Sequence, residues 1–260
     1  MGIFDGVKGS LTGTRAYRTH VAANKLMDQG KPAEARKKFA EALALYDEAD
    51  RLGGADLTVQ RAYGVLLMRE GRFQDAHDLM LKVSRRKDLK DQDWFNLRVQ
   101  FSLYLWKTGQ LDQAIETINR AAAIQTNGMI YSTLGMYLVD KARQTGDFAE
   151  ALAYNEQALD YDDEDGSVLD NMGQLYESMA EAAEGAQAAE YRAKALDFYE
   201  KAHAAKPRQI TTLYYLARMY HQNGDDDRAR ALLSVRDTLY ISAVCPVQPD
   251  MMEALAREIG

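Results

Sequence analysis

Few residues in this chain are equipped for chemistry, and none is spaced for it. The four histidines, His20, His77, His203 and His221, include no helical metal pair, and no cysteine pair accompanies them. They are expected at the surface. Cys245 is the one cysteine, which excludes an intramolecular disulfide, and no histidine neighbours it in sequence to serve as a base. The acidic run "YDDEDGS" (Tyr161 to Ser167) has a superficial likeness to a calcium loop. With Gly166 set at the loop's glycine position, however, Tyr161 falls on the first ligand place and Met172 on that of the bidentate glutamate. The run is instead expected to cap the following helix. No glycine-rich phosphate cradle, Gly-x-Ser-x-Gly elbow or paired catalytic carboxylate motif is present. The residues therefore imply no enzyme, no cofactor and no metal site, and function is expected to reside in a surface.

Bulk composition bounds that surface. Of 260 residues, 47% are hydrophobic and only four are proline, and there is no Val/Ile/Thr-rich alternation, so an all-helical protein is expected. A formal net charge of −7 disfavours nucleic acid. The average hides an asymmetry: residues 1–130 carry 20 Lys and Arg against 16 Asp and Glu, and residues 131–260 carry 12 against 23. Oppositely charged halves can bias how partners, or copies of the chain, dock. The opening "MGIFDGVKGSLTG" lacks the apolar run of a secretory leader, and the longest uncharged stretch, Thr126 to Val139, is too short to span a bilayer. A cytoplasmic location is expected.

The organising signal is a repeat. "GKPAEARKKF", "GRFQDAHDLM", "GQLDQAIETI", "GDFAEALAYN" and "GDDDRARALL" each place alanine five residues after glycine, at Ala35, Ala76, Ala114, Ala151 and Ala229. Hydrophobic residues recur at helical spacing on both sides: Tyr63, Gly64 and Leu67 before Gly71, then Phe73, Ala76, Met80 and Val83 after it. Each glycine permits the left-handed backbone that ends one helix, and the small residues let the next approach closely. A further hairpin, "NMGQLYESMA" followed by "AKALDFYEKAHAAKP", adds Ala195 to the marker alanines. The gaps between successive markers are uneven, widest from Ala151 to Ala195 and narrowest from Ala195 to Ala229.

With "MGQLY" as a first-helix signature and "ALDFYEKAHAAKP" as a second helix closed by proline, the chain resembles the tetratricopeptide repeat family, whose unit has a period of about 34 residues. The resemblance covers residues 16 to 243 as six units. It implies a right-handed α-solenoid of about six helix-turn-helix hairpins, with residues 14–248 as the superhelical domain. Residues 1–13 are expected as a flexible segment, since three glycines there weaken helix formation. Ile3, Phe4, Val7 and Leu11 nevertheless fall on one helical face that could touch a membrane or fold into a groove. Residues 249–260 are expected to form a capping helix, with Asp250 at its amino end and Leu255 and Ile259 facing inward. The wider gaps predict longer first helices in units four and five, and the composition of residues 177–190 favours helix over loop.

In the family resembled, first helices line a concave groove that receives a peptide or helix. Transferred to this chain, that groove is lined by Arg61, Val65, Met68, Asn96, Val99, Gln100, Leu103, Trp106, Lys107, Met136, Val139, Asn171, Tyr214 and Arg218. Tyr17, His20, Asn24 and Met27 extend it in unit one, and Asp170, Gln174, Glu177, Tyr215 and His221 in units five and six. The competing reading is that several of these pack between hairpins. A clamp for a carboxylate-ended peptide is not expected, because His20 and Ala62 stand where lysine and asparagine belong. The expected function is a non-catalytic protein–protein interaction scaffold or adaptor. The alternative is a self-assembling or membrane-peripheral repeat protein docking through its charged halves.

Overall fold

A computed structural model describes residues 3–53 and 55–260. Thirteen α-helices follow one another among the described residues, with no strand. They are α1 (Ile3–Asp28), α2 (Pro32–Leu52), α3 (Leu57–Arg69), α4 (Phe73–Ser84), α5 (Asp91–Lys107), α6 (Leu111–Ala122) and α7 (Gly128–Thr145). The rest are α8 (Ala149–Tyr161), α9 (Gly166–Ala182), α10 (Gly185–Ala205), α11 (Ile210–Gln222), α12 (Asp226–Leu233) and α13 (Pro249–Ile259). Within the units, α1 with α2, α3 with α4, α7 with α8, α9 with α10 and α11 with α12 pack as hairpins, the odd-numbered helix being the first member.

The glycine–alanine repeat accounts for the hairpins. Gly30, Gly71, Gly109, Gly146 and Gly224 all take φ between +70° and +80°, where a side chain would be strained. In the second turn, for example, the Gly71 N–H reaches the Met68 carbonyl and the Arg72 N–H the Leu67 carbonyl. All six marker alanines are buried. Elsewhere glycine admits a neighbour: a Cβ on Gly173 would stand 2.6 Å from the Tyr199 ring.

The chain divides into two compact units, Met1–Tyr104 with Asp237–Val244, and Leu105–Arg236 with Cys245–Gly260. In the N-terminal unit a core of Ala35, Phe39, Tyr46, Leu66, Leu67 and Met80 lies among α1–α4. In the C-terminal unit Ile118, Ile130, Tyr137, Met172, Leu175, Tyr199 and Leu213 are fully buried.

Three local features differ from expectation. Residues 3–13 form the first turns of α1, where no regular element was expected. Gly9 and Gly13 let this helix close on its neighbours: a Cβ would lie 1.8 Å from the Gly53 carbonyl oxygen at position 9, and 2.9 Å from Val59 at position 13. Tertiary approach thus outweighs the poor helix propensity of glycine. Val7 and Leu11 are exposed; the side chains of Ile3 and Phe4 lie outside the described residues. Second, the extra length of unit five is shared between helices. The first helix α9 outruns α3 and α11 by about one turn, but α10 also starts early, at Gly185, far ahead of Ala195. Other second helices start within one turn of their alanine. Residues 177–190 are helical apart from Ala183 and Glu184, and Tyr191 packs its ring 6.0 Å from that of Tyr176. Third, Pro249 takes the first position of α13, so Gln248 rather than Asp250 is the cap, while Leu255 and Ile259 are buried as expected.

Candidate partner-binding surface

The first helices of each unit present different surfaces. In the N-terminal unit, α3 and α5 carry Arg61, Val65, Met68, Asn96, Val99, Gln100 and Leu103. Val65 is 39% exposed, whereas Met68 is 2% exposed and belongs to the core. Gln100 donates to the Arg61 carbonyl (3.3 Å) and lies over Gly64, with its Oε1 2.8 Å from where a Cβ would stand. Arg61 pairs with Asp93 at 3.7 Å, and Asn96 donates to the Gln92 carbonyl within its own helix. Val99 and Leu103 are half-buried.

The carboxyl end of α3 is covered by the chain itself. Tyr240 donates to Glu70, packs 5.0 Å from the Phe39 ring and receives the Arg36 guanidinium at 5.0 Å. The Ala243 N–H donates to the Arg69 carbonyl (2.8 Å). Arg69 also donates to Asn24 (2.7 Å). His20, expected at the surface, is 5% exposed beside Tyr46, whose hydroxyl is 3.3 Å from Nδ1. Burial, with the Arg69 charge adding to it, lowers the His20 pKa to about 4.

The C-terminal unit carries a polar network across four consecutive first helices. Trp106, at the end of α5, donates its indole N–H to Asp140 on α7 (2.7 Å). Asp140 also accepts from Arg143 (3.3 Å), which donates to Ser178 (2.9 Å) and Gln174 (3.1 Å) on α9. Gln174 donates to Asp170 (2.9 Å), whose other oxygen accepts from Thr212 on α11 (2.7 Å). One turn on, Glu177 accepts from Tyr199 (2.9 Å) and Arg218 (2.6 Å). Asp170, Gln174, Glu177 and Ser178 are all buried. Burial raises the Asp170 pKa in spite of its hydrogen bonds.

Around this network lie the half-buried groups. Trp106 stacks on Tyr137 (5.9 Å) and takes Lys107 over its ring (5.0 Å). Lys107 donates to the Cys245 carbonyl (3.3 Å), and burial lowers its pKa. Met136 stands one turn before Asp140. Arg218 lies 5.7 Å from the Tyr214 ring centroid and 5.1 Å from that of Tyr215, with its Nε buried and without a hydrogen-bond partner. Five residues expected to line the groove here are buried: Asp170, Gln174 and Glu177 within the network, and Val139 and Asn171. Val139 is 2% exposed, and Asn171 is buried with its amide donated to the Ser132 carbonyl (2.8 Å). Both pack between hairpins.

No group of His, Cys, Asp and Glu among the described residues is arranged to hold a metal. The acidic run ends in Asp165, which caps α9 by accepting from the Ser167 N–H (2.7 Å) and pairs with Lys206 (2.7 Å).

No family model matches the sequence, and no curated protein matches it significantly. Among solved structures, a tetratricopeptide repeat protein from Parabacteroides merdae matches over 94% of this chain and 85% of its own, with a TM-score of 0.51 at 13% identity. A thermophilic tetratricopeptide repeat protein from Thermus thermophilus matches over 65% of this chain and 81% of its own, with a TM-score of 0.51 at 17% identity. This chain has the tetratricopeptide-repeat fold. At these identities the likeness concerns the backbone, and none of the side chains described above follows from it.

The polar network is not legible as a network in the sequence. Asp170, Gln174 and Glu177 form a polar stripe along one helix face, which a single sequence assigns to solvent. A usable signal does exist. Trp106 and Asp140, Arg143 and Gln174, Glu177 and Arg218, and Asp170 and Thr212 are each separated by close to one repeat. Complementary polar residues one repeat apart on first helices mark such a clamp.

Proposed function

We propose that this chain is a non-catalytic scaffold that captures an extended or helical segment of another protein along the first helices of its C-terminal unit. The observation that carries this reading is the hydrogen-bond network from Trp106 to Thr212, which ties four successive first helices together side chain to side chain. A face held this way is organised before a partner arrives, so little ordering is required on binding. It displays half-buried Trp106, Met136, Tyr214, Tyr215 and Arg218, and aromatic, Met and Arg side chains are common interface anchors. The unit carries 14 Lys and Arg against 24 Asp and Glu, which favours a basic segment. Selection from a displayed library of random peptides tests this. Enriched peptides rich in Lys or Arg, losing affinity by about tenfold or more on Trp106→Ala with Met136→Ala, support the reading. Failure to enrich any sequence, or capture indifferent to both substitutions, rejects it.

The charge asymmetry favours a second reading, salt-sensitive self-association. A light-scattering mass above the monomer at low salt that falls at high salt supports it, and a monomeric mass throughout rejects it.

A further inference from the structure

The first helix carries an apolar face that neither the core nor partner capture uses. α1 packs on α2 and α3, and its buried residues Gly9, Gly13, Ala16, His20 and Ala23 share one side. The opposite side is in solvent, yet it is not simply polar. Val7, Leu11, Tyr17 and Val21 are exposed there, Leu11 by 69%. They are four of the seven large hydrophobic side chains exposed among the described residues, so the exposure is concentrated on this helix. At about 100° per residue they fall within about a third of the helix circumference, and at about 1.5 Å per residue they run for about 21 Å. Close approach at Gly9 and Gly13 fixes α1 to the unit, so the stripe is displayed on a preformed helix.

The charge along this stretch has one sign. Lys8, Arg15, Arg18 and Lys25 are exposed on α1, and no carboxylate lies between Asp5 and Asp28. Lys8 stands 3.5 Å from Glu48, and Arg15 lies within electrostatic reach of Glu41. Arg18 and Lys25 have no ion pair among the described residues. They stand about three and five turns on from Val7, and so point the same way as the apolar stripe. The N-terminal unit as a whole carries 18 Lys and Arg against 15 Asp and Glu, so its wider field does not oppose an anionic neighbour. An apolar ridge interleaved with cations calls for a surface that is anionic outside and apolar just beneath. A bilayer with acidic headgroups is both: apolar side chains enter the headgroup boundary while Lys and Arg stems reach the phosphates. Because the stripe stands on the outer ridge of a helix, a fluid surface can meet all four side chains at once.

We propose that the solvent face of α1 lies along an anionic lipid surface, with Val7, Leu11, Tyr17 and Val21 in the headgroup boundary and Arg18 and Lys25 on the lipid phosphates. The N-terminal unit supplies this face by itself, so the proposal is independent of partner capture by the C-terminal unit. Sedimentation of the full chain with vesicles tests it, comparing an equal mixture of phosphatidylglycerol and phosphatidylcholine with phosphatidylcholine alone. Binding to the mixed vesicles is expected, about tenfold or more tighter than to phosphatidylcholine and weakened by added salt. Val7→Ser with Leu11→Ser should weaken it about tenfold or more, with helical circular dichroism unchanged because both side chains are exposed. Arg18→Gln with Lys25→Gln gives an independent arm and should also weaken binding to the mixed vesicles about tenfold or more. Absence of binding to the mixed vesicles, equal binding to both vesicle types, or binding that both double variants leave untouched overturns the proposal. If Val7→Ser with Leu11→Ser instead turns an oligomer into a monomer in light scattering and leaves vesicle binding unchanged, a second copy covers this face and the proposal fails.

Discussion

His20 offers a quantitative test of the N-terminal unit. Its imidazole is buried between Phe39 and Tyr46, with ring centroids 5.6 Å and 6.1 Å away, and its pKa is about 4 against an ordinary 6.5. A base whose folded pKa lies below its unfolded value takes up its proton more readily when unfolded, so acid favours unfolding. His20 therefore leaves stability intact above pH 6.5 and removes it progressively as pH falls from 6.5 toward 4. From about pH 7.5 to about pH 5 the loss from this one group is about 2 kcal/mol. His20→Phe keeps an aromatic ring in the site and removes the titration. Urea unfolding of both proteins, followed by circular dichroism across that range, isolates the effect, because contributions common to the two cancel. The difference between the two stabilities should shrink or reverse on acidification by about 2 kcal/mol. A difference independent of pH would refute the placement of His20 as a buried neutral base.

Other substitutions probe other parts of the molecule. Arg218→Ala leaves the Glu177 carboxylate buried with Tyr199 as its remaining donor, and should lower the stability of the C-terminal unit by about 3 kcal/mol in urea titrations. Gly173→Ala places a methyl group against the Tyr199 ring and should cost about 1–3 kcal/mol, read as a lower melting temperature. Gly9→Ala meets the Gly53 carbonyl, so hydrogen exchange should show lost protection in the first turns of α1, with protection in α9 retained.

How much was legible in the sequence depends on whether a feature is local. The turn glycines and the buried alanines five residues later are local, and every hairpin built on them follows. Features that depend on a distant neighbour are not legible in the sequence. Gly9 and Gly13 read as helix breakers because their close neighbours, Gly53 and Val59, lie beyond the whole of α2. His20 reads as polar surface because nothing near it in sequence reveals that Phe39 and Tyr46 enclose it. Met68 and Val139 read as groove because an apolar residue on a first helix can face either a partner or the next hairpin. The covering of α3 by Tyr240 joins opposite ends of the sequence, beyond the reach of any repeat pattern.

The central claim, that the first helices of the C-terminal unit receive another protein, is tested most directly by site-specific photo-crosslinking in the cells that make this chain. A benzophenone side chain at Met136 places the probe on the proposed face, and one at Ala193, exposed on the second helix α10, serves as the control. A discrete cross-linked protein from Met136 and none from Ala193 is the predicted result. Equal cross-linking from both positions, or a product from Ala193 alone, would contradict the claim.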